Sequence, residues 1–246
     1  MASHSPDSPG DASFATTDWG LIALARDGDS GPARQALADL CASYWYPLYA
    51  YIRRRGQPAD RAQDLTQGYF ASLLGKNFLG AIGPEKGRFR SFLLASCQNY
   101  LANESDRERT RKRGGGCLTV SIDVPDAEGR YAREPCHGLT AERLFERRWA
   151  LTLLDRVLER LGDEMAKRGK GPLFERLRPA LLGDGSAVPH KRVAQEMAMS
   201  ESAVKMAALR LRERYRALVR EEVARTVGAP GDIDDEIRDL FEALAE

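Results

Sequence analysis

The chain has 246 residues, of which 37 are basic and 36 acidic, so its formal net charge is +1 and it is not polybasic as a whole. This length allows one or two domains with cores of their own. The four cysteines are scattered and no secretory signal or long apolar run is present, which predicts a cytoplasmic protein without membrane contact.

The first half of the chain predicts a disordered leader followed by a helical domain. Residues 1–17 are rich in Ser, Pro, Asp and Ala and lack periodicity, which is typical of disorder. Helical patterns follow over residues 18–27, 32–55, 60–74 and 89–113, and strand signals are nearly absent. Three glycines at 114–116 end this run, so residues 18–113 are predicted to form the first domain.

Two of these predicted helices carry polar or basic side chains that could bind a partner. In residues 60–74, Leu65 and Tyr69 repeat at a step of four and predict a buried face. Asp64 and Gln67 lie on a second face, which is polar and available. The helix that begins at Phe89 combines aromatic and amide side chains with a basic end, and such groups stack on or hydrogen-bond unpaired bases. The alternative is that Phe89 belongs to the core and that the basic end complements the helix dipole.

Residues 114–139 predict an extended, flexible linker. They contain Pro125, Gly129 and Pro135 and only a brief apolar alternation. Cys136 and His137 are neighbours in this segment, but zinc needs about four converging ligands and no other Cys or His stands at ligand spacing. No metal site is therefore predicted.

Helical periodicity resumes at residue 140 and leads to two short helices joined by a tight turn. Residues 192–197 predict the first of these helices, and Ser200 is the predicted N-cap of the second. Val204, Leu211 and Leu218 mark the buried face of the second helix. Residues 191–220 hold eight basic and three acidic side chains, a local net charge of +5 that suits a phosphate backbone. The pattern predicts a helix-turn-helix domain over residues 140–228, and a helical hairpin within a bundle is the alternative.

The acidic tail, residues 229–246, predicts a short amphipathic helix. Ile237, Leu240, Phe241 and Leu244 recur at helical spacing among acidic residues. Two interpretations stay open. Either the helix packs on the second domain, or it masks the basic helix until a partner displaces it.

Three motifs in order along the chain resemble one known family. They are DLTQGYF at residues 64–70, GRFRSFL at 87–93 and SESAVK at 200–205, and the resemblance covers about residues 17–227. The chain is similar to extracytoplasmic-function sigma factors of the bacterial sigma-70 class. The resemblance implies two helical domains joined by a flexible linker, the second a helix-turn-helix domain. It also implies a protein that is not an enzyme, needs no cofactor and binds core RNA polymerase and promoter DNA. An anti-sigma or other regulatory protein is a further partner that the resemblance allows.

The resemblance assigns three sets of residues. The polymerase-binding set is Asp64, Leu65, Gln67 and Phe70. The set for the minus-ten promoter element is Arg88, Phe89, Arg90, Gln98, Asn99, Asn103, Arg107, Arg109, Arg111, Lys112 and Arg113. The set for the minus-thirty-five element is Ser200, Ser202, Lys205, Met206, Leu209, Arg210, Arg212 and Arg216.

The chain departs from the family pattern at three positions. Gly68 stands where the family usually has Glu, Ser105 where close relatives carry Trp, and Leu209 where His is frequent. A second hypothesis is a free-standing helix-turn-helix regulator that binds duplex DNA without polymerase. An enzyme is not expected, because the sequence has neither a glycine-rich phosphate loop after a strand nor a nucleophile elbow.

Overall fold

The computed structural model describes residues 30–73, 88–110, 127–134, 138–181 and 188–245, and within these ranges every regular element is helical. The prediction of an all-α fold is confirmed. In chain order the helices are α1 (Gly31–Arg54), α2 (Ala59–Leu73), α3 (Phe89–Thr110), α4 (Ala127–Ala132), α5 (Ala141–Lys167), α6 (Gly171–Leu181), α7 (His190–Glu196), α8 (Glu201–Ala224) and, after a 3-10 turn (Pro230–Asp232), α9 (Ile233–Ala245).

The leader predicted at residues 1–17 and the helix predicted at 18–27 lie outside the described residues, as do Cys117, Cys136 and His137. The chain divides into two compact units. One comprises Met1–Phe145 with Ala224–Asp232, and the other Glu146–Val223 with Ile233–Glu246. The borders between these units fall within α5 and α8, whereas the sequence placed the domain border in residues 114–139. None of the described helices is both long enough and apolar enough to cross a membrane.

The core of the first unit is built on aromatic side chains of α1. The rings of Trp45 and Tyr49 stack with their centroids 5.2 Å apart, and Tyr44 meets Phe89 of α3 edge-on at 5.1 Å. The Tyr69 hydroxyl of α2 donates to the Leu93 carbonyl of α3 at 3.0 Å, so the polar end of a buried ring is satisfied. These contacts join α3 to α1 and α2 to α3, and α2 also packs directly against α1.

In the second unit the Phe174 ring of α6 lies against Gly162 of α5, and ion pairs join α5 to α8. Buried apolar residues of these three helices include Trp149, Leu153, Val157, Leu158, Leu161, Leu173, Phe174, Leu177, Val204, Ala208, Leu211 and Leu218. Arg214 of α8 adds a bidentate ion pair to Glu164 of α5, with nitrogen–oxygen distances of 2.8 and 2.7 Å. One face of α8 is thereby committed to the core, and the opposite face is left outside it.

Part of the predicted linker is a helix that is docked on α1. We call residues 127–134 the docked segment. Its Glu128 carboxylate accepts hydrogen bonds from Arg53 (Nε 2.9 Å, Nη2 2.6 Å) and from the Tyr49 hydroxyl. Glu134 accepts a further bond from the Tyr46 hydroxyl at 2.6 Å. These residues therefore depart from the extended conformation that the sequence predicted.

Ring contacts strengthen the same docking. The Arg130 guanidinium lies 3.8 Å from the centre of the Tyr46 ring, and the Arg53 guanidinium lies 4.7 Å from that of Tyr131. Helix α4 has only six residues and buries none of them, so its own sequence cannot hold it helical. Contacts with α1 stabilise it instead. In the Arg53–Glu128 pair, the two residues are 75 positions apart in the chain.

Candidate nucleic-acid interface

A compact turn joins α7 to α8. The Met197 N–H donates to the Val193 carbonyl and the Met199 N–H to the Ala194 carbonyl, both at 2.9 Å. Between them Ala198 adopts a left-handed conformation with φ of 50°, which is uncommon for a residue with a side chain. Because Val193 and Ala194 are buried, α7 is anchored and the turn fixes where α8 begins.

Ser200 caps the first turn of α8. Its hydroxyl oxygen accepts a hydrogen bond from the Ala203 N–H at 3.2 Å and so satisfies one of the unpaired amides at the start of a helix. The prediction of an N-cap at this position is confirmed.

Seven of the eight residues that were assigned to the minus-thirty-five element are exposed on α8, and the eighth, Ser200, is the exposed cap that precedes it. We define the α8 face as Ser202, Lys205, Met206, Leu209, Arg212 and Arg216, which at 100° per residue fall within about a third of the helix circumference. Met206 is 48% exposed and Leu209 is 45% exposed. Among the described residues the one other large hydrophobic side chain with comparable exposure is Phe241.

Charge on α8 is divided between free and paired cations. Arg210, Arg212 and Arg216 are exposed and have no ion-pair partner within the described ranges. Lys205 pairs with Glu201 of the preceding turn at 2.7 Å. A bidentate pair with Glu164 holds Arg214 towards α5 and raises the pKa of its guanidinium. Arg214 is thus a packing residue and not a free cation.

Helix α9 leaves the α8 face open. Its Asp234 pairs with Arg220 near the C-terminal end of α8, and its Leu240 is fully buried. This arrangement agrees with the interpretation that the acidic helix packs within the second unit. It does not cover Ser202 or Met206, which are exposed.

The residues assigned to the minus-ten element fall into two groups on α3. Phe89 is 0% exposed and Arg90 is 4% exposed, so neither side chain is available at the surface in this structure. The reason is packing, because the Phe89 ring fills the contact with Tyr44 described above. The alternative that placed Phe89 in the core is therefore correct.

The remaining members of this set are available to different degrees. Asn99, Asn103, Arg107 and Arg109 are exposed, whereas Arg88 and Gln98 are half-buried. Arg111, Lys112 and Arg113 lie outside the described residues. Asn99, Asn103 and Arg107 recur at a step of four and therefore form one strip along α3, whereas Arg109 lies on a different side of the helix.

Gln98 also lines a groove of about 290 Å³ where α3 faces α2 and the chain after α1. Arg55 and Arg61 line the same groove, and an ion pair from Arg61 to Glu108 spans α2 and α3. Neither Arg55 nor Arg61 is among the site residues predicted from the sequence. Their approach to Gln98 depends on the packing of three helices, and local spacing carries no signal of it.

The polymerase-binding set is largely buried. Asp64 is exposed, but Leu65, Gln67 and Phe70 are 5%, 6% and 1% exposed. The expectation that Gln67 lies on an available face is therefore wrong for this structure. Helix α2 is enclosed by α1 and α3 over a wider arc than the step-of-four pattern indicated, and that arc includes Gln67.

Gly68 is explained by its neighbour on α3. A Cβ atom at this position would overlap the hydroxyl oxygen of Tyr100. The absence of a side chain thus lets the Tyr100 ring lie against α2, where it also meets the Tyr69 ring at 5.7 Å. Glycine at residue 68 thus has a packing reason.

Comparison with protein-family models, curated proteins and solved structures finds no match to this chain. Its function must therefore be argued from its own residues.

Proposed function

We propose that this protein is a sigma factor, which binds core RNA polymerase and directs it to promoters through two DNA-binding helices. The observation that carries the proposal is the α8 face. A capped helix behind a tight turn exposes the residues of the α8 face, while its other side is buried and is joined to α5 by the Arg214–Glu164 ion pair. This is the arrangement that a helix-turn-helix uses to place its second helix in the major groove.

The roles on α8 follow from position and charge. Ser202, Lys205 and Met206 lie near the N-terminus of the helix, the end from which such helices reach base edges. Arg212 and Arg216, further along, contact phosphates and set the orientation of the helix.

The strip on α3 is the second proposed DNA contact. Asn99 and Asn103 hydrogen-bond the edges of unpaired bases, and Arg107 follows the backbone of the separated strand. Joining two weak DNA contacts in one chain raises their combined affinity, because the second contact is effectively intramolecular once the first has formed.

One observation favours the free-standing regulator instead. Of the polymerase-binding set only Asp64 is exposed, which leaves a small surface of that set for polymerase. The two functions are separated by mixing the purified protein with core RNA polymerase and a library of duplexes. Co-elution with polymerase and transcripts that start at defined sites support the sigma factor. Tight sequence-specific binding by the protein alone, with no polymerase association, supports the regulator.

A charge test addresses the DNA contact itself. We expect Arg212→Ala with Arg216→Ala to weaken binding to all duplexes and to lower the salt dependence of log K by about 2, because two phosphate contacts are lost. The matched control is Arg168→Ala with Arg178→Ala, two exposed arginines of the same unit outside α8. Equal salt slopes for both double variants would contradict the role of Arg212 and Arg216.

A further inference from the structure

Two apolar side chains stand at the centre of the α8 face. Met206 and Leu209 are three residues apart, so they lie side by side on the same side of the helix, and each leaves nearly half of its surface in solvent. Neither side chain belongs to the buried core of the described part of the second unit. Their position, between the cap at Ser200 and the free Arg212, is the part of α8 that is proposed to meet bases.

The polar groups beside them are partly engaged. The Lys205 ammonium is paired with Glu201, and the Ser200 hydroxyl caps the helix and lies 3.1 Å from the Ser202 hydroxyl. The surface therefore offers few hydrogen-bonding groups to base edges. It offers instead an apolar centre flanked by cations at Arg210, Arg212 and Arg216.

That combination matches one feature of duplex DNA. The major groove is bordered by phosphates, and its apolar group is the 5-methyl of thymine. We propose that Met206 and Leu209 read thymine 5-methyl groups, so that α8 selects A·T pairs by apolar contact. The inference rests on the proposed function only in that α8 binds duplex DNA, and it holds with or without polymerase.

The test uses duplex pools in which the methyl group is the single variable. A randomised 20-base-pair pool is enriched on the full chain, alone and with core polymerase. The enriched duplexes are then synthesised with thymine or with deoxyuridine, which differs from thymine by that methyl alone. We expect about a fourfold loss of affinity for each contacted thymine, the equivalent of about 0.8 kcal/mol for one buried methyl-sized group.

Variants locate the effect on the protein. Met206→Ala with Leu209→Ala is expected to bind the thymine duplex about tenfold more weakly and to lose its discrimination against deoxyuridine. Because both side chains are exposed, the helix content measured by circular dichroism should be unchanged. Phe241→Ala removes a large side chain of similar exposure from α9 and is the matched control, which should behave like the original protein.

The outcomes are distinct. Enrichment of duplexes that bind equally well with deoxyuridine would overturn the inference and leave the proposed function standing. Unchanged DNA binding by the double alanine variant would also overturn it. Failure to enrich any duplex, alone or with polymerase, would overturn the inference and the proposed function together.

Discussion

Gly68 shows how one missing side chain can support a helix contact. Alanine is about 1 kcal/mol more favourable than glycine inside a helix, but a Cβ at residue 68 would meet the Tyr100 hydroxyl. We expect Gly68→Ala to gain little or to lose stability in the original protein, and to gain about 1 kcal/mol in a Tyr100→Phe background. Urea unfolding of the four proteins of this cycle measures the difference. An equal effect of Gly68→Ala in both backgrounds would show that the hydroxyl does not limit this position.

The buried thiols give a second test at single residues. Burial raises the pKa of Cys41 to about 11 and that of Cys97 to about 12, so both are almost entirely protonated at neutral pH. In a Cys117→Ser, Cys136→Ser variant we expect a thiol reagent to react very slowly with the folded chain and with two thiols after denaturation. Rapid labelling of the folded variant would contradict the burial of these groups.

Some residue-level features were predictable from sequence and others were not. The cap at Ser200 was predictable because it depends on the next three residues of the chain. The burial of Gln67 and Phe89 was not, because it depends on which helix covers them. An aromatic side chain such as Phe89 can stack on a base or pack against Tyr44, and the sequence does not show which of these two contacts it makes.

Arg214 and Arg212 lie on the same helix, and we expect the first to contribute to stability and the second to DNA binding. Glu164 and Arg214 join α5 to α8, while Arg212, two residues away, is exposed. We expect Arg214→Met to lower the free energy of unfolding by about 1 kcal/mol or less, since the pair is partly exposed, and to leave DNA affinity unchanged. We expect Arg212→Met to lower DNA affinity and to leave the free energy of unfolding unchanged. The idea fails if the two variants change both quantities alike.

The pH dependence of this ion pair has a definite sign. Arg214 holds the pKa of Glu164 below its ordinary value of 4.5. The stabilisation is therefore complete above about pH 4.5 and is lost as the pH falls through the lowered pKa of the folded state. The stability difference between the original protein and Arg214→Met should shrink over that acidic range.

Longer helices were predicted better than short ones. The periodic pattern around residues 200–220 corresponds to α8, and the pattern at 32–55 corresponds to α1, because each has a continuous apolar face. Helix α4 has no such face, and it is helical because Glu128 and Glu134 reach groups on α1. Contacts of this kind leave no periodic trace in the sequence.

At the scale of the whole molecule, the docked segment ties a distant part of the chain to α1. Glu128→Gln removes the charge that pairs with Arg53, and we expect trypsin to cleave after Arg130 and Arg133 faster in this variant. Mass spectrometry of the two peptides measures the rate. Glu142→Gln, at an exposed acid near the start of α5, is the control. Unchanged cleavage in Glu128→Gln would mean that other contacts hold the segment.

Acid should release the same segment in the original protein. Hydrogen bonds from Arg53 lower the pKa of Glu128 below its ordinary value of 4.5. The docking contact is thus complete above about pH 4.5 and weakens as the pH falls through the lowered value. The all-α class of the molecule was predictable from composition and periodicity, whereas this long-range contact was not.

The separation of Arg53 and Glu128 along the chain also has a kinetic consequence. Bringing together groups 75 residues apart costs on the order of 4 kcal/mol of loop-closure entropy, which must be met before the contact yields any stabilisation. We therefore expect the contact to form after α1 has packed on α2, on the native side of the folding barrier. Its loss should accelerate unfolding and leave the folding rate nearly unchanged.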